Sequence, residues 1–279
     1  KMPHSARRRA HFTWALAAAA LVTQSAAYTA TATRPTPLAP DYVDGWAVTP
    51  KRSTWQGREL MCLVVSDDPS VDNLHSVAHP DHPRYRAFEE LEDPHGALGV
   101  WPSAYAACAA LERIASQLKR PPTVLELGCG AGLPSLYSSV VLESPRVVAT
   151  DVEAVPLAFL EAARSAHDGE GAFATAVLDV TYAAVDDIRG FDVVVCADML
   201  YNTDVATSLG ALLGAAACGA GAPEFVVCDP GRRGRDHFLD AFGAASGLSP
   251  MFVDQAVPDG CVDVFDGTPI GAVGVLAAR

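Results

Sequence analysis

Positive charge is scarce in this chain. Lys and Arg total 20 against 33 Asp and Glu in 279 residues, a formal charge of −13. Five of the 20, Lys1, Arg7, Arg8, Arg9 and Arg34, precede residue 41, where no acid occurs, so the rest of the chain sets 15 bases against all 33 acids. Such a surface does not attract phosphate backbones, which argues against general nucleic-acid binding. It suits a basic protein segment or a cationic small molecule, or else simply aids solubility. Paired cysteines are missing too: seven are dispersed with no C-x-x-C, which reads as free thiols in a reducing compartment. Cys129, Cys196 and Cys228 fall in or beside expected strands as small core residues. The apolar run Trp14 to Val22 is too short to span a bilayer. No internal repeat is present. What the chain has in quantity is apolar residues, half of the total, enough for one full-cored domain with an extension.

That domain is organised around Thr123 to Leu136, T-V-L-E-L-G-C-G-A-G-L-P-S-L. Val124, Leu125 and Leu127 bracket Glu126 in a short apolar run that reads as a buried parallel strand. Gly128, Gly130 and Gly132 then alternate, which allows a tight turn and lets a ligand lie against bare backbone. Leu133 to Leu142 reads as a helix whose free N–H groups face that ligand. A dinucleotide fingerprint requires a third Gly where Leu133 stands. Glu126 would repel a diphosphate there and would attract a cation.

The pattern E-x-G-x-G-x-G resembles motif I of the class I, seven-strand S-adenosylmethionine (SAM) methyltransferases. The stretch Gly99-Val100-Trp101-Pro102-Ser103-Ala104 shortly before it resembles methyltransferase family 16, which includes protein-lysine methyltransferases and nicotinamide N-methyltransferase-like proteins. Asp198-Met199-Leu200-Tyr201, after a further apolar strand, resembles the Asp-x-x-Tyr of the family's lysine methyltransferases. The likeness spans residue 99 to the C-terminus. It implies a SAM site made by Trp101, Glu126, Gly128, Cys129, Gly130, Asp151, Asp179, Val180 and Ala197. Glu126 would serve the methionine ammonium and Asp151 the ribose hydroxyls. Asp179-Val180 would lie beside the adenine, with Val180 in place of the family's usual Trp. Asp198 would hold an incoming amine and Tyr201 would wall its channel, as the catalytic pair. Asp229-Pro230-Gly231-Arg232 resembles the nicotinamide-like branch, and Arg232 or Arg233 either holds an acidic substrate group or is solvated.

The remaining elements follow from pattern. Residues 99–118 read as a helix with Pro102 in its first turn and Ala104, Cys108, Leu111 and Ala115 as its apolar stripe. Strands are expected at 146–150, 173–178, 192–197 and 224–228, helices at 153–167, 202–218 and 236–246, and a closing antiparallel pair at 251–257 and 271–277. The fold class is therefore α/β, a doubly wound seven-stranded Rossmann-like methyltransferase sheet with helices on both faces and an antiparallel last strand. Residues 59–66 read as a strand paired with 45–54, a small N-terminal β-hairpin extension. Residues 71–92 read as a loop or lid. Its His75, His79 and His82 are separated by Pro80 and Pro83, which break any helix that would align them, so no metal site is assigned.

The expected domains are 1–40, a targeting presequence, 41–98, an extension or lid, and 99–279, the methyltransferase domain. Arg7 to Arg9, the apolar run and Ser25-Ala26-Ala27 resemble a signal peptide, and Tyr28 to Pro40 resembles a transit segment. In series they resemble the bipartite presequence of algae with secondary plastids. A plain signal peptide, a membrane anchor, or a secretory or cytoplasmic location are the alternatives. The expected activity is methyl transfer from SAM to an amine, protein lysine ahead of a small nicotinamide-like molecule, by a monomer without nucleic-acid or lasting membrane association. An NAD(P) oxidoreductase and a non-catalytic SAM-binding module remain the other classes.

Overall fold

The computed structural model describes residues 39–66, 96, 98–168, 171–219, 221–264 and 267–278. The segment up to residue 38 expected to be a presequence, and the segment 71–92 expected to be a loop or lid, lie outside the described residues. Seven strands form the main sheet: β4 (Val124–Leu127), β5 (Arg146–Asp151), β6 (Ala172–Val177), β7 (Val193–Ala197), β8 (Glu224–Asp229), β9 (Pro250–Ala256) and β10 (Ala272–Ala278). Their order is β6-β5-β4-β7-β8-β10-β9. The first four pairings are parallel, whereas β10 runs antiparallel to both β8 and β9. Central strands covered on both faces read as continuous apolar runs, and every residue of β4 is buried. The order reverses direction at the β4–β7 boundary, where the crossovers leave on opposite sides and open a crevice beyond the strands' C-terminal ends.

Among the described residues six α-helices flank the sheet: α1 (Pro102–Leu118), α2 (Leu133–Leu136), α3 (Ala154–Ser165), α4 (Val185–Ile188), α5 (Thr203–Ala216) and α6 (Arg235–Ser246). Pro102 opens α1 at a position whose missing N–H costs nothing. Asn202 caps α5 by accepting from the backbone N–H groups of Asp204 and Val205. The helix expected over 133–142 keeps its extent and changes its pitch: after α2 the chain widens into a π-helical turn, Tyr137–Val141. Ser138 Oγ takes the Pro134 carbonyl at 2.8 Å and Arg58 donates to the Val140 carbonyl, so side chains serve groups that an α-ladder would use.

The extension is a three-stranded antiparallel sheet, β1 (Tyr42–Val43), β2 (Trp46–Trp55) and β3 (Arg58–Val65), one strand more than the expected hairpin. Gln56 and Gly57, both at positive φ, make its tight turn. Residues 60 to 65 of β3 are all buried. Trp55 meets Tyr137 edge-on at 5.0 Å and stacks on Tyr105 at 6.4 Å, so the sheet joins the main core through α1 and the π turn. Among the described residues no helix is long and apolar enough to cross a membrane.

Candidate active site

A cavity of about 480 Å³ opens at the C-terminal ends of β4 to β7. All eleven residues singled out in the sequence line it: Trp101, Glu126, Gly128, Cys129, Gly130, Asp151, Asp179, Val180, Ala197, Asp198 and Tyr201. They come from five segments that the fold alone brings together.

Glu126, at 1% exposure, points from β4 towards the start of α2. Its Oε2 accepts from Ser135 N at 3.0 Å and from Ser135 Oγ at 2.5 Å. Burial is nevertheless the larger effect, and it pushes the carboxyl up to about 8, against the two Ser135 hydrogen bonds and with help from the Asp151 charge. Asp151 ends β5. Its Oδ2 accepts from Gly130 N at 2.9 Å and its Oδ1 from Glu153 N at 3.1 Å, so it braces the glycine turn and the entry to α3 together. Gly130 sits at φ 49°, and a Cβ there would stand 2.8 Å from the Gly96 carbonyl oxygen. The turn's bareness therefore makes room for the Gly96 backbone as well as for a ligand. Asp179 Oδ1 accepts from Thr181 N and Oγ1 in an Asx turn, and Val180 is buried.

The other end of the cavity is ionic. Asp198 holds a left-handed backbone, φ 61°, which is uncommon for a residue other than glycine and costs on the order of 1 kcal/mol. Its side chain is 4% exposed and is gripped by Arg232, with Nε donating to Oδ1 at 2.7 Å and Nη2 to Oδ2 at 3.3 Å. Ser103 Oγ donates to Oδ2 at 3.3 Å. Burial raises the Asp198 carboxyl and Arg232 opposes it. Arg232 also reaches Asp263 at 2.9 Å and lies 5.4 Å from the Trp101 ring centroid. It is thus not simply solvated: two carboxylates of the protein hold it at the cavity wall. Arg233, exposed, donates through Nε to the Tyr201 carbonyl at 2.7 Å. Asp229 is fully buried on Arg235 at 2.6 Å and caps the turn at Gly231.

Sequence reasoning missed Ser103, Ser135, Arg232 as the partner of Asp198, and Asp263. Ser103 follows the Trp-Pro pair directly and was within reach of a reading that asked what Asp198 hydrogen-bonds. Asp263 carries no local signal, because only tertiary packing brings the β9–β10 loop here. All seven cysteines are free, and Cys129, Cys196 and Cys228 are buried, as expected. Among the described residues no cluster has the make-up of a metal site.

A family model described as lysine methyltransferase, methyltransferase family 16, matches residues 80–242. The chain belongs to that family. It is a SAM-dependent methyltransferase, which sets aside the oxidoreductase and the non-catalytic module. No curated protein matches it. Similar solved structures include a candidate RNA methyltransferase from Pyrococcus horikoshii, at 15% identity and TM-score 0.45, covering 68% of this chain and 93% of that one. Magnesium protoporphyrin IX methyltransferase from Synechocystis PCC 6803, crystallised with SAM, is 14% identical at TM-score 0.43, covering 73% of this chain and 88% of that one.

The methyltransferase's cavity suits SAM chemically. Two buried carboxylates, Glu126 and Asp151, meet the requirements of an ammonium and a diol, with the apolar Leu178 and Val180 beside them and no Lys or Arg at the glycine turn to call for a phosphate.

Proposed function

We propose that this methyltransferase acts on a protein lysine. The carrying observation is that Asp198 and Tyr201 line the same cavity as Glu126 and Asp151, so an acceptor beside the first pair shares one enclosure with a cofactor beside the second. Glu126 is assigned to the methionine ammonium, Asp151 to the ribose hydroxyls, Asp179 and Val180 to the adenine, and the Gly128–Gly130 backbone, Trp101 and Ala197 to the span between. SAM, when bound, supplies a methyl group on a positively charged sulfur, open to in-line displacement by an uncharged nitrogen. The protein's part is chiefly orientation, since no difficult proton transfer accompanies that displacement. Asp198 accepts an N–H of the amine and fixes the direction of its lone pair. Tyr201 offers a ring to the aliphatic stem and to any residual cation.

Labelled SAM, a lysate and the purified protein test this reading. Label recovered in methyl-lysine from protein hydrolysates supports it. Label confined to small amines would replace lysine by a small-molecule acceptor, and label on oxygen or sulfur would remove the amine reading altogether.

A further inference from the structure

The turn from β8 into the start of α6 carries three guanidiniums, and the protein itself occupies two of them. Arg232 is held by Asp198 and Asp263, and Arg235 by Asp229. Arg233, between them, is exposed and lines the cavity at its acceptor end. Its Nε donates to the Tyr201 carbonyl at 2.7 Å, and among the described residues no carboxylate pairs with it. A guanidinium has five N–H donors, so the four on Nη1 and Nη2 stay open to a ligand. In a chain with 33 acids against 20 bases, an arginine flanked by two paired ones and itself unpaired stands out. The backbone beneath it is fixed as well. Asp229 accepts from Gly231 N at 2.9 Å and from Arg232 N at 3.2 Å, and Gly234 N donates to the Leu200 carbonyl at 2.9 Å. An arginine anchored through its Nε and its backbone loses little freedom on taking a ligand.

We propose that Arg233 is the docking point for a carboxylate of the acceptor, an Asp or Glu within three residues of the target lysine. Tyr201 is assigned to the wall along the lysine's aliphatic stem, and Arg233 is tied to the backbone of that same residue. A group that meets Arg233 therefore belongs to the acceptor chain around the lysine and not to its reacting nitrogen. An extended segment advances about 3.3 Å per residue, so an acid within three residues stays within about 10 Å of the lysine backbone. The free Nη1 and Nη2 match the two oxygens of a carboxylate. The acidic surface as a whole draws a basic segment from a distance, and Arg233 then requires one acid in it, so that register as well as charge selects the lysine. This inference rests on the protein-lysine reading.

The test takes the protein that the full chain labels in a lysate, purifies it and locates its methyl-lysine. An Asp or Glu should lie within three residues of that lysine. Replacing this acid by Lys should raise the acceptor KM of the wild-type enzyme about five- to tenfold and leave kcat within about twofold. Arg233→Glu should raise the KM for the natural acceptor by a similar factor. On the acceptor with the acid replaced by Lys, Arg233→Glu should bring the KM back to within about threefold of the natural pairing. A role confined to bracing the Tyr201 carbonyl gives no such recovery, and SAM affinity in each variant serves as the check on folding. A labelled lysine with no acid within three residues, or a KM that does not recover in the swapped pair, would overturn the proposal and leave the lysine reading standing. Label confined to small molecules, or found on oxygen or sulfur, would overturn both.

Discussion

Asp198 and Glu126 are the two side chains whose environments decide most. Asp198→Ala should lower methyl transfer by about 10²-fold or more, because it removes the group that aims the acceptor. SAM affinity should stay within a few-fold, measured by calorimetry, since Glu126 and Asp151 are untouched. Equal loss of both would mean that Asp198 only holds the fold. Glu126 gives a pH dependence with a definite sign. Its folded pKa, about 8, lies above the usual carboxylate value, so its protonated form favours the folded state. That contribution to the stability of the ligand-free protein is complete below the unfolded pKa of about 4.3 and is lost as pH rises through about 8. Binding an ammonium needs the ionised form, so SAM affinity should rise with pH below about 8, by up to about tenfold per unit, until the ligand's own α-ammonium, of ordinary pKa about 8, loses its proton. In Glu126→Gln the affinity should be lower and the slope absent. That these two residues line one cavity was legible because each stands in a short motif with a chemical reason for its type. Their partners were not: nothing near Asp198 in sequence points to Arg232, 34 positions on, or to Asp263 beyond it.

At the level of elements, the alternation of apolar strands and amphipathic helices set out the sheet within a residue or two at most ends. The exceptions have physical causes. The four-residue α4 is too short for a periodic signal, and β1 exists only by pairing with β2. The π turn answers to Arg58, a residue of the extension, which no local pattern reports. The junction of extension and main sheet has its own titrating contact. His167, just after α3, accepts from Met61 N on the free edge of β3 at 3.1 Å, while its Nδ1 meets the Ala163 carbonyl at 2.7 Å. Burial lowers its pKa, so the folded state keeps the ring neutral while the unfolded chain protonates below about 6.5. Stability from this contact is full above that pH and declines as pH falls below it. His167→Leu should cost about 1–3 kcal/mol at pH 7.5 by orphaning the Met61 N–H. It should also flatten the acid limb of a melting curve series between about pH 6.5 and 5.

On the scale of the molecule, acid predominates: the 33 Asp and Glu all lie beyond residue 40, against 15 basic residues there. A basic acceptor segment would be drawn to that surface over distances that salt cuts to about 8 Å at 0.15 M. The apparent KM for a protein acceptor should therefore rise with ionic strength between about 50 and 500 mM, with SAM affinity far less affected because Glu126 is sealed from solvent. An acceptor KM indifferent to salt would mean that recognition is local to the cavity.

The sheet's final strand in chain order, β10, wedges between two strands already present, β8 and β9. The loop carrying Asp263 joins β9 to β10, so Arg232 gains its second anchor only when that insertion is complete. During synthesis the pocket for the methyl donor can form well before the place where the recipient docks. A chain cut before residue 257 should accordingly still retain SAM, measured by calorimetry, yet leave the acceptor without a fully built berth.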